Sequence, residues 1–222
     1  MLGRIILSGV FTSMFLSAVA GSAVVSAQEK KTHLTPESAG PDFLVQGEYA
    51  GVVNGKEPVG LQVISRGNGN FDAVLYAGGL PGAGWDGKSK LPLSGKTGDD
   101  GLTTLLGNNF KGQIRDGIVT GAGSGKSDDR MYKVFRRSPT LGAKPPEGAI
   151  VLFDGTNVDA WNGVKLEDGN LLGVGGRTKQ KFEDFHLHLE FRTPFMPEHT
   201  GQSRGNSGMY LLDQYECQVL DS

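Results

Sequence analysis

The chain has 222 residues with 22 lysines and arginines and 24 aspartates and glutamates, so its formal net charge is −2. This balance argues against a nucleic-acid partner, because nucleic acids are bound by strongly basic surfaces. The 35 glycines are about twice the usual share and stand largely between short apolar runs. Composition therefore predicts an all-β protein with many tight turns.

Residues 1–27 have the features of a cleaved export signal. Arg4 supplies a positive start, an apolar run continues from Ile5 to Val25, and small residues end at Ala27. The run is also about long enough for an uncleaved membrane anchor, but its serines and glycines dilute it. We expect an exported protein, periplasmic or extracellular, with no stable membrane insertion after cleavage.

Four regions follow the signal. Residues 28–41 lack periodicity and are predicted as a flexible lead-in with a solvated His33. Residues 42–137 are predicted as a small β domain, a sandwich or barrel-like sheet. A proline-rich linker covers residues 138–148, and a second β region covers residues 149–222. The strands predicted in the first domain are 46–53, 59–65, 70–77, 102–106, 113–120 and 131–135.

Two loops of the first domain have simple structural interpretations. Residues 121–127 resemble a phosphate-binding loop, but Thr120 stands where the pattern requires glycine and no helix follows, so we expect a hairpin loop. Trp85, in a glycine-rich loop, is either an exposed indole for stacking on sugars or a lid on the small core. A lid is the commoner arrangement.

Residues 182–192 show a clear alternation of apolar and polar side chains. The apolar members are Phe185, Leu187, Leu189 and Phe191, and the polar members are His186, His188, Glu190 and Arg192. The alternation predicts a strand with one face in the core and the other exposed or functional. A row of ligands along one strand rarely converges on one ion. We therefore expect no metal or cofactor, with a metal site as the minor alternative.

The end of the chain predicts a second candidate strand. Glu216 and Gln218 share one face, and Asp221 joins them only if a bulge shifts the alternation. Carboxylates on such a strand serve as general acid or base where burial tunes their pKa. A merely solvated strand face is the alternative. Cys217, the only cysteine, lies on the opposite face and is predicted to be a small buried side chain.

Several segments of the second region, in order, resemble a known family. They are residues 150–157 with Trp161, residues 185–192, Gly205-Asn206-Ser207-Gly208-Met209-Tyr210 and Tyr215-Glu216-Cys217-Gln218-Val219-Leu220-Asp221-Ser222. Together they resemble the 3-keto-disaccharide hydrolase family, also described as 3-keto-glucoside lyase/hydratases. Residues 43–146 resemble the N-terminal extension of its secreted, planctomycete-type members.

The resemblance implies a concanavalin-A-like jelly roll and action on glycosides oxidised at C3. Family domains extend further than Ser222, so the jelly roll is expected to be incomplete and the chain truncated at its C-terminus. A 3-keto group acidifies the C2 proton; a base removes it, the C1 glycosidic oxygen leaves, and water addition completes net hydrolysis.

Matching motif positions suggest the site residues. The base would be Glu216 or His188, and the group that stabilises the enolate oxygen would be Arg192 or Asn206. The catalytic candidates are Glu216, His188 and Arg192, and the substrate-binding candidates are Asn206, Gln218, Asp221 and Glu190. The partner would be a carbohydrate substrate. A non-catalytic carbohydrate-binding module and an inactive truncated fragment are the alternative interpretations.

Overall fold

The computed structural model describes residues 30–121 and 129–221. The predicted export signal at residues 1–27 and most of the predicted hairpin loop, residues 122–127, lie outside this part. The helical segments that are described have five residues or fewer. None of them is long and apolar enough to cross a bilayer.

Eight antiparallel strands close into a barrel. Each strand pairs with the next in the chain, and the last pairs with the first. They are β1 (Gly47–Val53), β2 (Glu57–Gly67), β3 (Asn70–Ala77), β4 (Lys90–Thr97), β5 (Thr103–Gly107), β6 (Phe110–Arg115), β7 (Ile118–Thr120) and β8 (Arg130–Val134). The all-β class is confirmed, and the strands of the barrel lie within the region predicted as a small β domain.

Sequence reasoning missed β4, because Pro92 and Gly95 interrupt its apolar pattern. Only Ser94–Thr97 of this strand pair with β5, so Pro92 lies where β4 has β3 as its one neighbour. Proline is tolerated at such an edge because its missing N–H is not needed there. A Cβ on Gly95 would lie 2.7 Å from Leu105 Cδ2, so glycine leaves room for the core.

Alternate side chains of the strands fill the barrel interior, as the pleat of a strand dictates. The apolar core cluster comprises Tyr49, Val53, Val59, Leu61, Val63, Phe71, Ala73, Leu93, Leu105, Phe110, Ile114, Val119 and Met131. The barrel therefore has a packed hydrophobic core made from its own strands.

The core also encloses polar side chains. Thr103 is fully buried, and its hydroxyl lies 2.7 Å from that of Thr97. The carboxylate of Asp129 is buried without a hydrogen-bond partner among the residues described, and it borders the undescribed residues 122–128.

The short helix α1 (Pro41–Val45) closes one end of the barrel. The Tyr49 hydroxyl donates to Val45 O at 2.5 Å, and burial raises the pKa of Tyr49 to about 12. The Ser65 hydroxyl donates to Asp42 Oδ2 at 3.1 Å. These bonds fix the helix against β1 and β2.

Part of the predicted flexible lead-in contacts the C-terminal region. The backbones of His33 and Phe195 exchange two hydrogen bonds of 2.9 Å. The Phe195 ring is buried and packs edge-on against Phe43 of α1 at 5.3 Å. His33 thus joins the start of the described chain to a later segment.

Trp85 folds back onto the barrel wall. Its ring meets that of Tyr76 edge-on at 5.0 Å, and its Nε1 donates to Ser89 O at 3.0 Å. This arrangement agrees with the lid interpretation rather than with an indole presented to sugars.

The C-terminal region forms three separate two-stranded sheets, β10–β11, β12–β9 and β13–β14. Their strands are β9 (Trp161–Asn162), β10 (Leu166–Glu167), β11 (Leu171–Leu172), β12 (Arg177–Thr178), β13 (Asn206–Leu211) and β14 (Tyr215–Leu220). Only β13–β14 has more than two residues a strand. It is the main regular element after the barrel.

The prediction of a strand at residues 182–192 is wrong. No residue of this segment lies in a strand. Its apolar side chains are 45–65% exposed, among them Leu189 at 50% and Phe191 at 65%. Alternation predicts how side chains would divide between two faces, but a strand also needs a neighbour for its N–H and C=O groups. No described segment pairs with these residues.

Candidate active site

The hairpin β13–β14 gathers several of the predicted site residues on one face. Tyr210 lies directly opposite Glu216, and Gly208 lies opposite Gln218. Directly opposite residues of an antiparallel pair share a face, and so do alternate residues of a strand. Asn206, Tyr210, Glu216 and Gln218 therefore project from the same side. All four are exposed, so this side is open to a ligand.

Gln218 lies between the other two predicted residues of this face. One end of its amide is 2.6 Å from Asn206 Oδ1, and the other end is 3.1 Å from Glu216 Oε2. Turning the amide nitrogen toward Glu216 gives the carboxylate a hydrogen-bond donor. With the amide nitrogen toward Asn206 instead, Gln218 donates to Asn206 Oδ1, and the Asn206 amide donates to Gln202 O at 3.1 Å. The side chains form a connected polar row.

Gly208 makes room for the Glu216 carboxylate. A Cβ built on Gly208 would lie 2.0 Å from Glu216 Oε1 and 2.7 Å from Cδ. A Cβ at that distance would make the Glu216 side chain shift, so glycine at position 208 lets Glu216 lie across the strand backbone in this conformation. The close approach directs the carboxylate along the face toward Gln218.

Tyr210 borders the carboxylate on its other side. A hydrogen bond with Glu216 raises the pKa of the Tyr210 hydroxyl, and the charge of the carboxylate adds to the effect. The phenol therefore keeps its proton and acts as a donor to Glu216. Sequence reasoning missed Tyr210, although its place opposite Glu216 follows once the hairpin register is known.

His188, Glu190 and Arg192 form contacts elsewhere. His188 Nε2 lies 3.1 Å from Glu190 Oε1, and the Gly142 amide donates to the same oxygen at 2.5 Å. The Gly142 amide is the main cause that lowers the pKa of Glu190, and His188 is the second. Arg192 pairs with Asp168. Among the residues described, no hydrogen bond or ion pair joins this group to β13–β14.

Asp221 lies on the other face of the hairpin. The register of β13–β14 runs without a shift, so the bulge that would align Asp221 with Glu216 is not formed. Its Oδ2 accepts instead from Arg204 Nε at 3.2 Å. The structure thus separates Asp221 from Glu216 and Gln218.

Cys217 was expected to be buried on this second face, and that prediction is wrong. Its side chain is exposed, and neighbouring Tyr215 is 65% exposed. The strand pattern predicts that Cys217 faces away from Glu216, but it does not predict that this face is covered. In the described part of the chain, this face is left open to solvent.

Arg204 is another side chain beside the candidate site that sequence reasoning missed. It is completely buried and contacts both the barrel and Asp221. The feature of the sequence that could have pointed to Arg204 is its position directly before Gly205-Asn206-Ser207-Gly208. Burial of a charged side chain depends on distant partners, so the local pattern did not show it.

No cluster of three or more histidine, cysteine, aspartate and glutamate side chains within residues 30–121 and 129–221 is placed to hold a metal ion. A shallow depression of about 420 Å³ lies beside β10 and β11, and none of the predicted site residues lines it.

The family comparison agrees with the resemblance found in the sequence. Residues 148–222 match the family model of the 3-keto-alpha-glucoside-1,2-lyase-like domain. The match confirms the predicted family and supports a carbohydrate-active role, and it includes β13–β14 and the group around His188. Searches of curated proteins and of solved structures gave no match.

Proposed function

We propose that the protein is an exported enzyme that cleaves 3-keto-glycosides by elimination and hydration, with Glu216 as the base. The observation that carries the proposal is the polar face of β13–β14 within the matched domain. There, Glu216 has amide and hydroxyl donors on either side and an open approach for a ligand.

The elimination needs a base and a donor to the C3 oxygen. Glu216 takes the C2 proton, which the adjacent ketone acidifies, and the electron pair of the C2–H bond forms an enolate. The enolate then expels the C1 oxygen, which takes the proton that Glu216 removed and leaves as the free alcohol or sugar. Adding water across the resulting C1–C2 double bond gives the 3-keto sugar, so the net reaction is hydrolysis.

The neighbours of Glu216 have matching roles. The amides of Asn206 and Gln218 lie in a row beside the carboxylate and can donate to the developing enolate oxygen. The Tyr210 hydroxyl, which keeps its proton, holds the carboxylate in place. The row therefore contains Glu216 as the base and, at one end, the amide donors of Asn206 and Gln218.

Glu216 is favoured over His188 as the base because its face is free to receive a substrate. His188 and Arg192 are each paired with a carboxylate, Glu190 and Asp168 respectively. Both pairs would have to open before either side chain reached a sugar. We assign Arg192 and Glu190 to positioning in this proposal, and Asp221 to the support of the hairpin.

The test is aglycone release from chromogenic 3-keto-glucosides of both anomers by the full exported chain. We expect turnover of at least one anomer, a transient enone absorbance, and loss of at least about a hundredfold in kcat for Glu216→Gln. Glu183→Gln, an exposed glutamate of the same domain, is the matched control.

Three results would change the proposal. Binding of the sugars without turnover would point to a carbohydrate-binding module. Equal losses in both variants would remove Glu216 as the base, and sensitivity to a chelator would require a metal. Export has its own test, since the secreted protein should begin at Gln28 by mass spectrometry.

A further inference from the structure

We infer that Arg204 is a positioning residue that anchors the site hairpin, β13–β14, to the barrel. The barrel then helps to set the geometry of the polar face rather than serving as a separate module. The effect on turnover rests on the proposed function. The effect on the hairpin itself does not, and it can be measured without a substrate.

The contacts of the guanidinium connect the two regions. Nη1 donates to Ser65 O at 2.9 Å and Nη2 donates to Gln46 Oε1 at 3.0 Å, so two of its nitrogens bind the barrel end. Nε donates to Asp221 Oδ2 at 3.2 Å. Each nitrogen therefore has its own acceptor. A guanidinium with no exposed surface requires such partners, because an unpaired buried charge is strongly unfavourable.

The position of Arg204 in the chain makes these contacts important for the site. Arg204 lies two residues before β13 begins, and Asp221 directly follows the end of β14. The ion pair thus clamps the open end of the hairpin. The Asp221 amide also donates to Gly205 O at 3.3 Å. Asn206, the first residue of β13 and part of the polar row, is therefore held close to the anchor.

The barrel side of the anchor is held in place by further bonds. Gln46 Oε1 accepts from the Ser65 amide at 2.9 Å as well as from Arg204. Ser65 is itself bonded to Asp42 of α1. The acceptors thus belong to the end of the barrel that α1 closes, and they do not depend on Arg204 for their own placement.

Two contacts beside the anchor keep the segment before β13 on the same barrel end. Phe195 packs against Phe43 of α1. Glu198 lies over the β2–β3 turn, where a Cβ on Gly67 would come within 2.7 Å of Glu198 Cγ. The chain from Phe195 to Arg204 therefore follows the barrel before it enters the hairpin.

Hydrogen exchange of the full chain tests the anchor directly. In Arg204→Met, which keeps the length and loses the donors, we expect the amides of residues 206–220 to exchange at least about tenfold faster, with β2 and β3 unchanged. Arg204→Lys should recover part of the protection. Arg177→Met is the matched control, because Arg177 makes an exposed pair with Asp213 of the same hairpin.

Turnover provides the second measurement. With Arg204→Met we expect kcat/KM for the 3-keto-glucoside to fall at least about tenfold, with partial rescue in Arg204→Lys and no loss in Arg177→Met. If the wild type shows no turnover, the proposed function fails, while the exchange data still decide the anchor.

The inference would be overturned if Arg204→Met exchanged no faster in the hairpin than Arg177→Met, or if the barrel strands lost protection equally. If Arg204→Met does not fold, Gln46 provides the second test. Gln46→Leu removes one acceptor and should speed hairpin exchange, whereas Gln46→Glu keeps an acceptor and should restore it. Equal exchange in the two Gln46 variants would contradict the anchor.

Discussion

The barrel and the C-terminal region use similar alternating sequences with opposite results. In β2, Leu61 and Val63 are almost completely buried, because neighbouring strands and the barrel interior cover them. In residues 185–192, Leu189 alternates in the same way but remains half exposed without a paired strand. The difference shows that alternation provides a potential core face, and that strand partners decide whether a core forms.

The regions also differ in how they hold their elements. The barrel closes its own sheet. Within the residues described, β13–β14 pairs with no further strand, and the buried Arg204 links it to the barrel. The barrel therefore has its own source of stability. The candidate site depends on a few specific contacts.

The largest expected effect is on the barrel core. Leu61→Ala should lower the free energy of unfolding by about 2–5 kcal/mol, since it leaves a cavity among packed side chains. The same change at Leu189 should stay within about 0.5 kcal/mol. Urea unfolding of both variants measures the difference. A cost at Leu189 as large as at Leu61 would show that the C-terminal region has a core of its own.

The next effect concerns the hairpin face. Gly208→Ala places a Cβ where Glu216 Oε1 now lies, so the carboxylate must move and kcat/KM should fall at least about tenfold. Ser207→Ala, on the opposite face of the same strand, should leave kcat/KM unchanged. Equal activity of the two variants would contradict the placement of Glu216 across Gly208.

At high pH, Tyr49 of the barrel and Tyr215 of the hairpin allow the two regions to be compared. Burial raises the pKa of Tyr49 from 10.0 to about 12 in the folded barrel, so the unfolded chain loses this proton first. Its stabilising effect is complete below pH 10 and is lost as the pH rises from 10 toward 12. Tyr49→Phe should flatten this part of the stability profile, with a loss of about 1 kcal/mol at neutral pH for the missing bond. Tyr215→Phe, at an exposed position, should keep the decline that Tyr49 causes between pH 10 and pH 12.

The smallest effect is on ion pairs at low pH. The hydrogen bond from Arg136 is the main cause that lowers the pKa of Glu48 below its ordinary 4.5. The pair therefore stabilises the barrel above pH 4.5, and this effect is lost as the pH falls through the lowered pKa. Glu48→Gln should cost up to about 1 kcal/mol at pH 7 because both partners are partly exposed.

The matching change in the hairpin is Asp213→Asn, which removes the charge that pairs with Arg177. Asp213 and Arg177 are 62% and 74% exposed, so the change should cost less than about 0.5 kcal/mol. Thermal unfolding of both variants at pH 7 and pH 4 measures the pair of effects. A larger cost at Asp213 than at Glu48 would reverse the expected order.

Much of the barrel was predictable because its strands are local apolar runs between turn residues. The predicted runs at residues 46–53 and 70–77 nearly coincide with β1 and β3. By contrast, β4 was missed because Pro92 conceals a strand whose pairing tolerates it. Closure into a barrel depends on pairing β8 with β1, which no local pattern specifies.

The candidate site was predictable only in part. Alternation correctly placed Glu216 and Gln218 on one face, since that requires only a strand period of two. It did not identify Tyr210, whose place follows from cross-strand register, or Arg204, whose burial depends on Ser65 in β2 and on Gln46 between α1 and β1. The exposure of Cys217 likewise depends on what covers the hairpin rather than on the hairpin sequence.

The most direct test of Glu216 as the base is exchange of the C2 proton of a 3-keto-glucoside in D₂O, followed by NMR. Proton removal precedes loss of the aglycone, so exchange isolates the step assigned to Glu216. We predict exchange above the buffer rate with the wild type and with Glu183→Gln, and none above it with Glu216→Gln. Exchange by Glu216→Gln at the wild-type rate would contradict the assignment.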